Sequence, residues 1–274
     1  MSSRRQDTGA LDRLSFRFTT GTLAGLALFL LAAPTLIVVI VSFTSGLSLR
    51  FPPPGFSFRW YESLADSWQL QFAARNSLMV GILATALAVL LGVPAALAIG
   101  TGTGNRLTRA LDQFFLSPLI LPGLAFGLAS LIFFTAAGLN VSITTLVIGH
   151  TVVCVPYVIR NTVAALAQLD PALIDSSLSL GASRLTTFRR VTLPSIGSGI
   201  MSGAFICFMA SFDNIPVSLF LRDAATDMLP VRMWQDLEGR LDVTVAAAST
   251  ALILFTVVMA GLMERFLGLS RRLQ

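Results

Sequence analysis

The stretch from Leu173 to Pro194, "LIDSSLSLGASRLTTFRRVTLP", is polar and arginine-bearing inside a chain that otherwise reads as one apolar run after another. It comes after Asp170-Pro171, a good helix start: the aspartate accepts from free N–H groups, and proline at the first helical position has no N–H to leave unpaired. Leu173, Ile174, Leu178 and Leu180 bring apolar residues at mixed helical spacings, beside the polar Asp175, Ser176 and Ser177. Gly181 is placed to end this helix in a left-handed conformation, and Ser183 to cap a second one carrying Leu185 and Phe188 beside Arg184, Arg189 and Arg190. The expectation is two short amphipathic helices at a glycine bend, abutting an apolar run that begins at Leu193-Pro194. Such an element either lies on lipid headgroups through its arginines or passes rigid-body motion into the membrane.

The surrounding runs set the class. Of 274 residues, 54% are hydrophobic and 12% charged, with a mean hydropathy of +0.78, the composition of a membrane protein. Six stretches are long enough to cross a hydrocarbon layer: Thr20 to Phe43, Ser77 to Gly100, Phe114 to Ala137, Val141 to Ile159, Ser195 to Leu221 and Val243 to Leu267. The expected fold is an all-α membrane protein of six transmembrane helices with the Leu173–Pro194 loop between spans four and five. Residues 1–19 are expected to form a cytoplasmic segment, 20–267 a single transmembrane domain and 268–274 a cytoplasmic tail. Within that domain, 170–194 faces the cytoplasm, and 44–76 and 222–242 are external.

All 19 basic residues are arginine, so the positive-inside rule is applied by counting arginine alone. With the N-terminus inside, the cytoplasmic segments hold Arg4, Arg5, Arg13, Arg17, Arg106, Arg109, Arg160, Arg184, Arg189, Arg190, Arg265, Arg271 and Arg272. The other side holds Arg50, Arg59, Arg75, Arg222, Arg232 and Arg240. Both termini are therefore expected in the cytoplasm. The arginines flank spans rather than forming one basic face, which argues against nucleic acid despite a pI near 10.5. The first span is too long for a signal-peptide core and is expected to be retained. Cys154 and Cys207 fall within spans, where small buried side chains are expected rather than a disulfide or a metal pair. In the second external segment, "LPVRMWQDLEGR" has Pro230 near a start and Gly239 near an end, which predicts a short surface helix.

With Asp175, Ser176 and Ser177 at the places of Glu-Ala-Ala, Gly181 at the glycine, and Val191, Leu193 and Pro194 closing the pattern, the opening stretch resembles the coupling motif of type I ABC importer permeases. Local features elsewhere resemble the second permease of spermidine/putrescine-type systems: "RWYESL" (59–64), "NSL" (76–78), "SPLILPG" (117–123), "SFDNIPVSLFL" (211–221), "LPVRMW" (229–234) and "AAAST" (246–250). The resemblance implies that Asp175, Ser176, Ser177, Gly181, Phe188, Leu193 and Pro194 meet an ATPase. It also implies a second homologous permease, two copies of the ABC ATPase and an extracytoplasmic substrate-binding protein, in a bacterial cytoplasmic membrane. No G-x-x-x-x-G-K-[ST] occurs and there is no lysine, so no cofactor is expected on this chain; ATP and Mg belong on the ATPase subunit.

Ionisable groups within spans suggest function by default. Asp213, between Phe212 and Asn214 and ahead of the helix-bending Pro216, fits a pathway for an organic cation, through charge pairing and cation–π attraction. Phe212, Asp213, Asn214, Tyr157 and Ser117 are the candidate pathway residues; an Asp213 paired with Arg222 is the structural alternative. The resemblance suggests a polyamine, but Leu119 and Asn214 stand where polyamine systems often carry acids, which brings in opines, amino-acid derivatives and aminophosphonates. His150 is expected to be an interhelical hydrogen-bonding residue. Gly123-x-x-x-Gly127 and Gly199-x-x-x-Gly203 allow close helix packing, with a permease dimer interface one place for it. Ser183 lies among cytoplasmic arginines, away from His150, which disfavours an intramembrane hydrolase. A secondary transporter or channel working without an ATPase is the alternative mechanism.

Overall fold

The computed structural model describes residues 4–100, 106–240 and 242–267; the expected tail at 268–274, with Arg271 and Arg272, lies outside them. Twelve α-helices succeed one another, with no strand among the described residues. They group into two compact units, one of Met1–Asp66 with Gly239–Phe255 and one of Ser67–Glu238 with Thr256–Gln274.

In the first unit, α1 (Arg4–Ser42) begins well before the apolar run, within the expected N-terminal segment. Its apolar portion, Ser15–Ser42, is long enough to cross a membrane. Leu23, Phe29 and Leu31 are all well exposed, as suits a helix surrounded by lipid rather than water. The segment after it folds back on itself through a bridge between Thr44 and Phe56. Tyr61, on α2 (Arg59–Asp66), closes it by a 2.7 Å hydrogen bond between its hydroxyl and Ser42 Oγ. Phe43, Phe58 and Tyr61 cluster beside that bond.

The second unit is built around α6 (Ile143–Ala167), flanked by α3 (Trp68–Gly100) and α9 (Leu193–Phe212). Ser142 and Thr145 form a reciprocal capping box that starts α6. Small residues bring the helices together. A Cβ on Gly199 would stand 2.4 Å from Ala165 Cβ, and one on Gly203 2.9 Å from Val158 Cα. The Gly199-x-x-x-Gly203 spacing thus serves packing inside the chain, not a dimer interface. Ala88, Ala96, Cys154, Val158, Ile159 and Cys207 fill one core between these three helices. Both cysteines are free and buried, as expected, and Cys154 Sγ donates to the Cys207 carbonyl.

The expected second span begins earlier than Ser77, because α3 starts at Trp68 and takes in the end of the first external segment. The expected third span, Phe114 to Ala137, is not one helix. It is α4 (Arg106–Ile120) and α5 (Gly123–Ala136), which meet at 102°. Pro122 is the cause: it has no N–H to extend α4 and disfavours helical backbone at Leu121. Among the described residues, five helices are therefore long and apolar enough to cross a membrane, or six if the bent pair counts as one span. The expected fifth span, Ser195 to Leu221, is likewise broken, into α9 and α10 (Ile215–Leu221). A Cβ on Gly127 would stand 2.5 Å from the Pro216 carbonyl, so the Gly123-x-x-x-Gly127 spacing seats α5 on α10 within this chain.

The expected surface helix forms as α11 (Leu229–Arg240). "NSL" explains how the loop before it is held. Asn76 Nδ2 donates to the Asp227 carbonyl at 3.0 Å, and Ser77 Oγ accepts from Leu229 N at 2.9 Å. Met228 and Val231 then complete a second core with Val80, Leu146, Val217 and Leu221. The last helix is α12 (Thr244–Leu267), whose Ala246, Ala247 and Ala248 are buried.

Candidate functional site

The corner around Gly181 assembles from local rules. Asp170 Oδ1 accepts from Ala172 N at 2.9 Å and starts α7 (Pro171–Ser179), with Pro171 in its first turn. Gly181 ends it at φ +85°. Gly181 N donates to the Leu178 carbonyl and Ala182 N to that of Ser177, the paired bonds of a Schellman motif. Ser183 Oγ accepts from Thr186 N at 3.2 Å and caps α8 (Arg184–Thr187). A 2.9 Å hydrogen bond between Ser177 Oγ and Thr187 Oγ1 ties the two short helices together.

The chain makes no second hinge after α8. Residues Phe188–Thr192 form a π-helical turn, with Leu193 N donating to the Phe188 carbonyl, and lead without a break into α9. Pro194 accounts for the wider turn: it cannot donate to the carbonyl four residues back, and its ring would crowd that carbonyl in an ordinary α-turn. The corner is therefore continuous, through one helix, with the first half of the fifth span.

Of the candidate coupling residues, Asp175 and Ser176 are exposed, and Leu193 and Pro194 are exposed at the start of α9. Ser177 instead holds α7 to α8. Phe188 lines a cavity of about 330 Å³ between them, with Ile174, Leu178, Arg184, Thr187 and Thr192. Leu180, 88% exposed at the bend, and Leu185, 65% exposed, present bare apolar surface beside it. Thr187 was not singled out in the sequence, and Leu180 only as an apolar residue of the first helix; a threonine ten residues from its serine partner carries no local signal.

The second locus is the break in span five. Asp213 caps the end of α9, its N–H donating to the Met209 carbonyl. Asn214 Oδ1 accepts from Val217 N at 2.9 Å, so its side chain caps α10. Asp213 is exposed and makes no ion pair among the described residues. Arg222, its alternative partner, is held by Asp227 at 2.7 Å.

Of the remaining candidates, Phe212 and Tyr157 are held within the protein and Ser117 is exposed. Phe212 is buried and packs on Phe208, with ring centroids 5.7 Å apart. Tyr157 is half-buried against the core around Cys154 and Cys207. Ser117 Oγ donates to its own helix at the Phe114 carbonyl, 2.7 Å away. The two breaks do lie side by side: a Cβ on Gly123, just after the bend at Pro122, would stand 3.1 Å from Pro216. Irregular backbone at membrane depth is tolerated only where protein or a cavity covers it.

His150 is the residue whose importance the sequence understated. It is fully buried on α6, its Nδ1 2.8 Å from Ser211 Oγ and its Nε2 3.1 Å from Ser218 Oγ. As expected it is an interhelical hydrogen-bonding residue, but with two partners on opposite sides of the break.

Known proteins agree with this architecture. The chain is 27% identical over 234 residues to the spermidine/putrescine transport system permease protein PotC of Haemophilus influenzae, covering 84% of this chain and 89% of that one. It is 28% identical over 243 residues to the putrescine transport system permease protein PotI of Escherichia coli, covering 86% of each. To the molybdenum transport system permease protein ModB of Mycobacterium bovis it is 32% identical over 247 residues, covering 85% and 89%. Among solved structures, the fold is shared with a bacterial ABC transporter involved in the import of the acidic polysaccharide alginate. That match has a TM-score of 0.67 and 19% identity, over 96% of this chain and 99% of that one. The inward-facing MetNI methionine ABC transporter matches with a TM-score of 0.63 and 18% identity, over 73% and 95%. Residues 88–268 match the family described as binding-protein-dependent transport system inner membrane component. The chain belongs to that family and is a permease subunit of an ABC importer.

Proposed function

We propose that this permease pairs with a second homologous permease, and that the two form the translocation pathway for a small organic cation. An external binding protein delivers the solute to the external segments, and both termini lie in the cytoplasm. Two ABC ATPase subunits, which carry the ATP and Mg, dock on the cytoplasmic side at the corner formed by Asp175, Ser176, Gly181, Leu180 and the groove beside Phe188. The PotC and PotI relatives bear polyamine names, whereas the ModB relative does not, so likeness alone does not choose the solute.

The observation that carries the cationic reading is the exposed, unpaired carboxylate of Asp213 at the break between α9 and α10. Because residue 214 is an asparagine, occupied in capping, Asp213 stands there as one acid rather than a pair, which suits a single ammonium or guanidinium group as well as one end of a polyamine.

The test is to co-express the chain with its genomic neighbours, purify through it, reconstitute into vesicles and follow uptake of labelled putrescine and spermidine. An ATPase is expected to co-purify; uptake by the chain alone would instead establish a secondary carrier. Asp213→Asn keeps the shape and removes the charge. It is expected to lower uptake about tenfold or more, as loss of a partly desolvated charge contact does, with the amount of assembled complex unchanged. Equal uptake by the variant would return Asp213 to a structural role.

A further inference from the structure

We propose that His150 is a positioning residue, a polar latch joining the two halves of the broken fifth span and thereby fixing where Asp213 stands. The proposal takes from the functional reading only the placement of Asp213 in the pathway.

The two halves share α6 but rest on different parts of it, and each has a further partner of its own. α9 lies against α3 and α6, with Gly199 and Gly203 pressed on α6 and Gly81 of α3 close to Phe208. α10 lies against α5, through Gly123 and Gly127, and against the first part of α6, where a Cβ on Gly149 would stand 2.6 Å from Leu221. The main-chain ladder does not run through the junction. The last bonds of α9 are Asp213 N to the Met209 carbonyl and Asn214 N to that of Ser211, and α10 opens on the Asn214 side chain. The main chain itself therefore does not tie α10 to α9 across Asp213-Asn214.

His150 closes that joint. Ser211 lies two residues before Asp213 and Ser218 five after it, and one imidazole on a third helix reaches both. Ser211 is 1% exposed and Ser218 fully buried, so neither hydroxyl has water to turn to when the ring leaves. A neutral imidazole offers one donor and one acceptor, and a hydroxyl can serve either, so both contacts are satisfied together. Swinging α10 away from α9 breaks at least one of them. The latch is therefore either made or broken, which is what a joint that switches between states needs.

The test needs no knowledge of the solute. Asp213→Cys is placed in the chain, and the complex with its ATPase is treated with a small cationic methanethiosulfonate reagent, without nucleotide and after vanadate trapping. The native Cys154 and Cys207, both fully buried, give the baseline in the chain that keeps Asp213. With His150 intact, the labelling rates of the two states are expected to differ by about tenfold or more; with His150→Ala they are expected to converge to within about threefold, the scale of coupling one contact carries. Ser218→Ala removes one oxygen and is expected to act in the same direction. It also keeps the test decisive where His150→Ala fails to assemble, and adding His150→Ala to it is expected to add little. Rates that still differ between states in the Ser218→Ala chain, as they do with both residues intact, would overturn the latch alone. An Asp213→Cys chain whose new thiol stays unlabelled in every state withdraws the pathway reading and the latch's purpose with it.

Discussion

Gly181→Pro is expected to abolish coupled uptake while leaving the permease in the membrane. Gly181 sits at φ +85°, where proline's fixed ring angle cannot go, and its N–H makes a Schellman bond that proline cannot make. The backbone must then leave the left-handed turn, which moves α8 off α7 and breaks the Ser177–Thr187 tie. Nothing else packs on the site: a Cβ there would meet no atom within 4 Å, so insertion and the helix core are untouched. In reconstituted vesicles, uptake is expected to fall by about tenfold or more, with chain abundance within about twofold and ATP hydrolysis no longer linked to solute. Gly181→Ala is expected to be milder, since the left-handed conformation costs an alanine about 1–2 kcal/mol. Coupled uptake at the ordinary rate in the proline variant would show that the corner does not transmit the motor's motion.

Gly199→Leu is expected to be more damaging to the chain itself. The new side chain would begin 2.4 Å from Ala165 Cβ and 2.7 Å from the Asn161 carbonyl, and a carbonyl cannot swing aside as a flexible side chain does. Overpacking costs about 1–3 kcal/mol where neighbours can give; against backbone the helices must separate, opening the core around Cys154, Val158 and Cys207. Gly197 is the control on the same helix, because a Cβ there meets nothing within 4 Å. Detergent-extracted Gly199→Leu is expected to elute largely as aggregate, and Gly197→Leu as the native species. If both elute alike, α9 does not rest on α6 at the closeness described.

The corner at Gly181 was legible in the sequence because its determinants are local. Asp170, Gly181 and Ser183 each act on backbone within four residues, and each does in the structure what its position implied. The break at Asp213 was half legible. Pro216 announced a disturbance, but Asn214 beside an acid looked like a ligand group when it is a helix cap. The bend at Pro122 was hidden by hydropathy, since an apolar run reads the same whether or not its helix continues.

Interactions that act over distance were not legible at all. The partners of His150 lie 61 and 68 residues away, and the glycine pairs give no sign in themselves of whether they face their own chain or another. The π-turn after Thr187 arises from Pro194 acting backwards, which the Leu-Pro signature marks without describing.

The same turn also sets a heading. One residue more than an α-helix needs, inserted between α8 and α9, rotates everything on the α7–α8 side by about 100° relative to the span. The azimuth at which Leu180 and Leu185 point is therefore chosen by Pro194, within the span itself. The proline works as an indexing pin: it sets which way the corner faces.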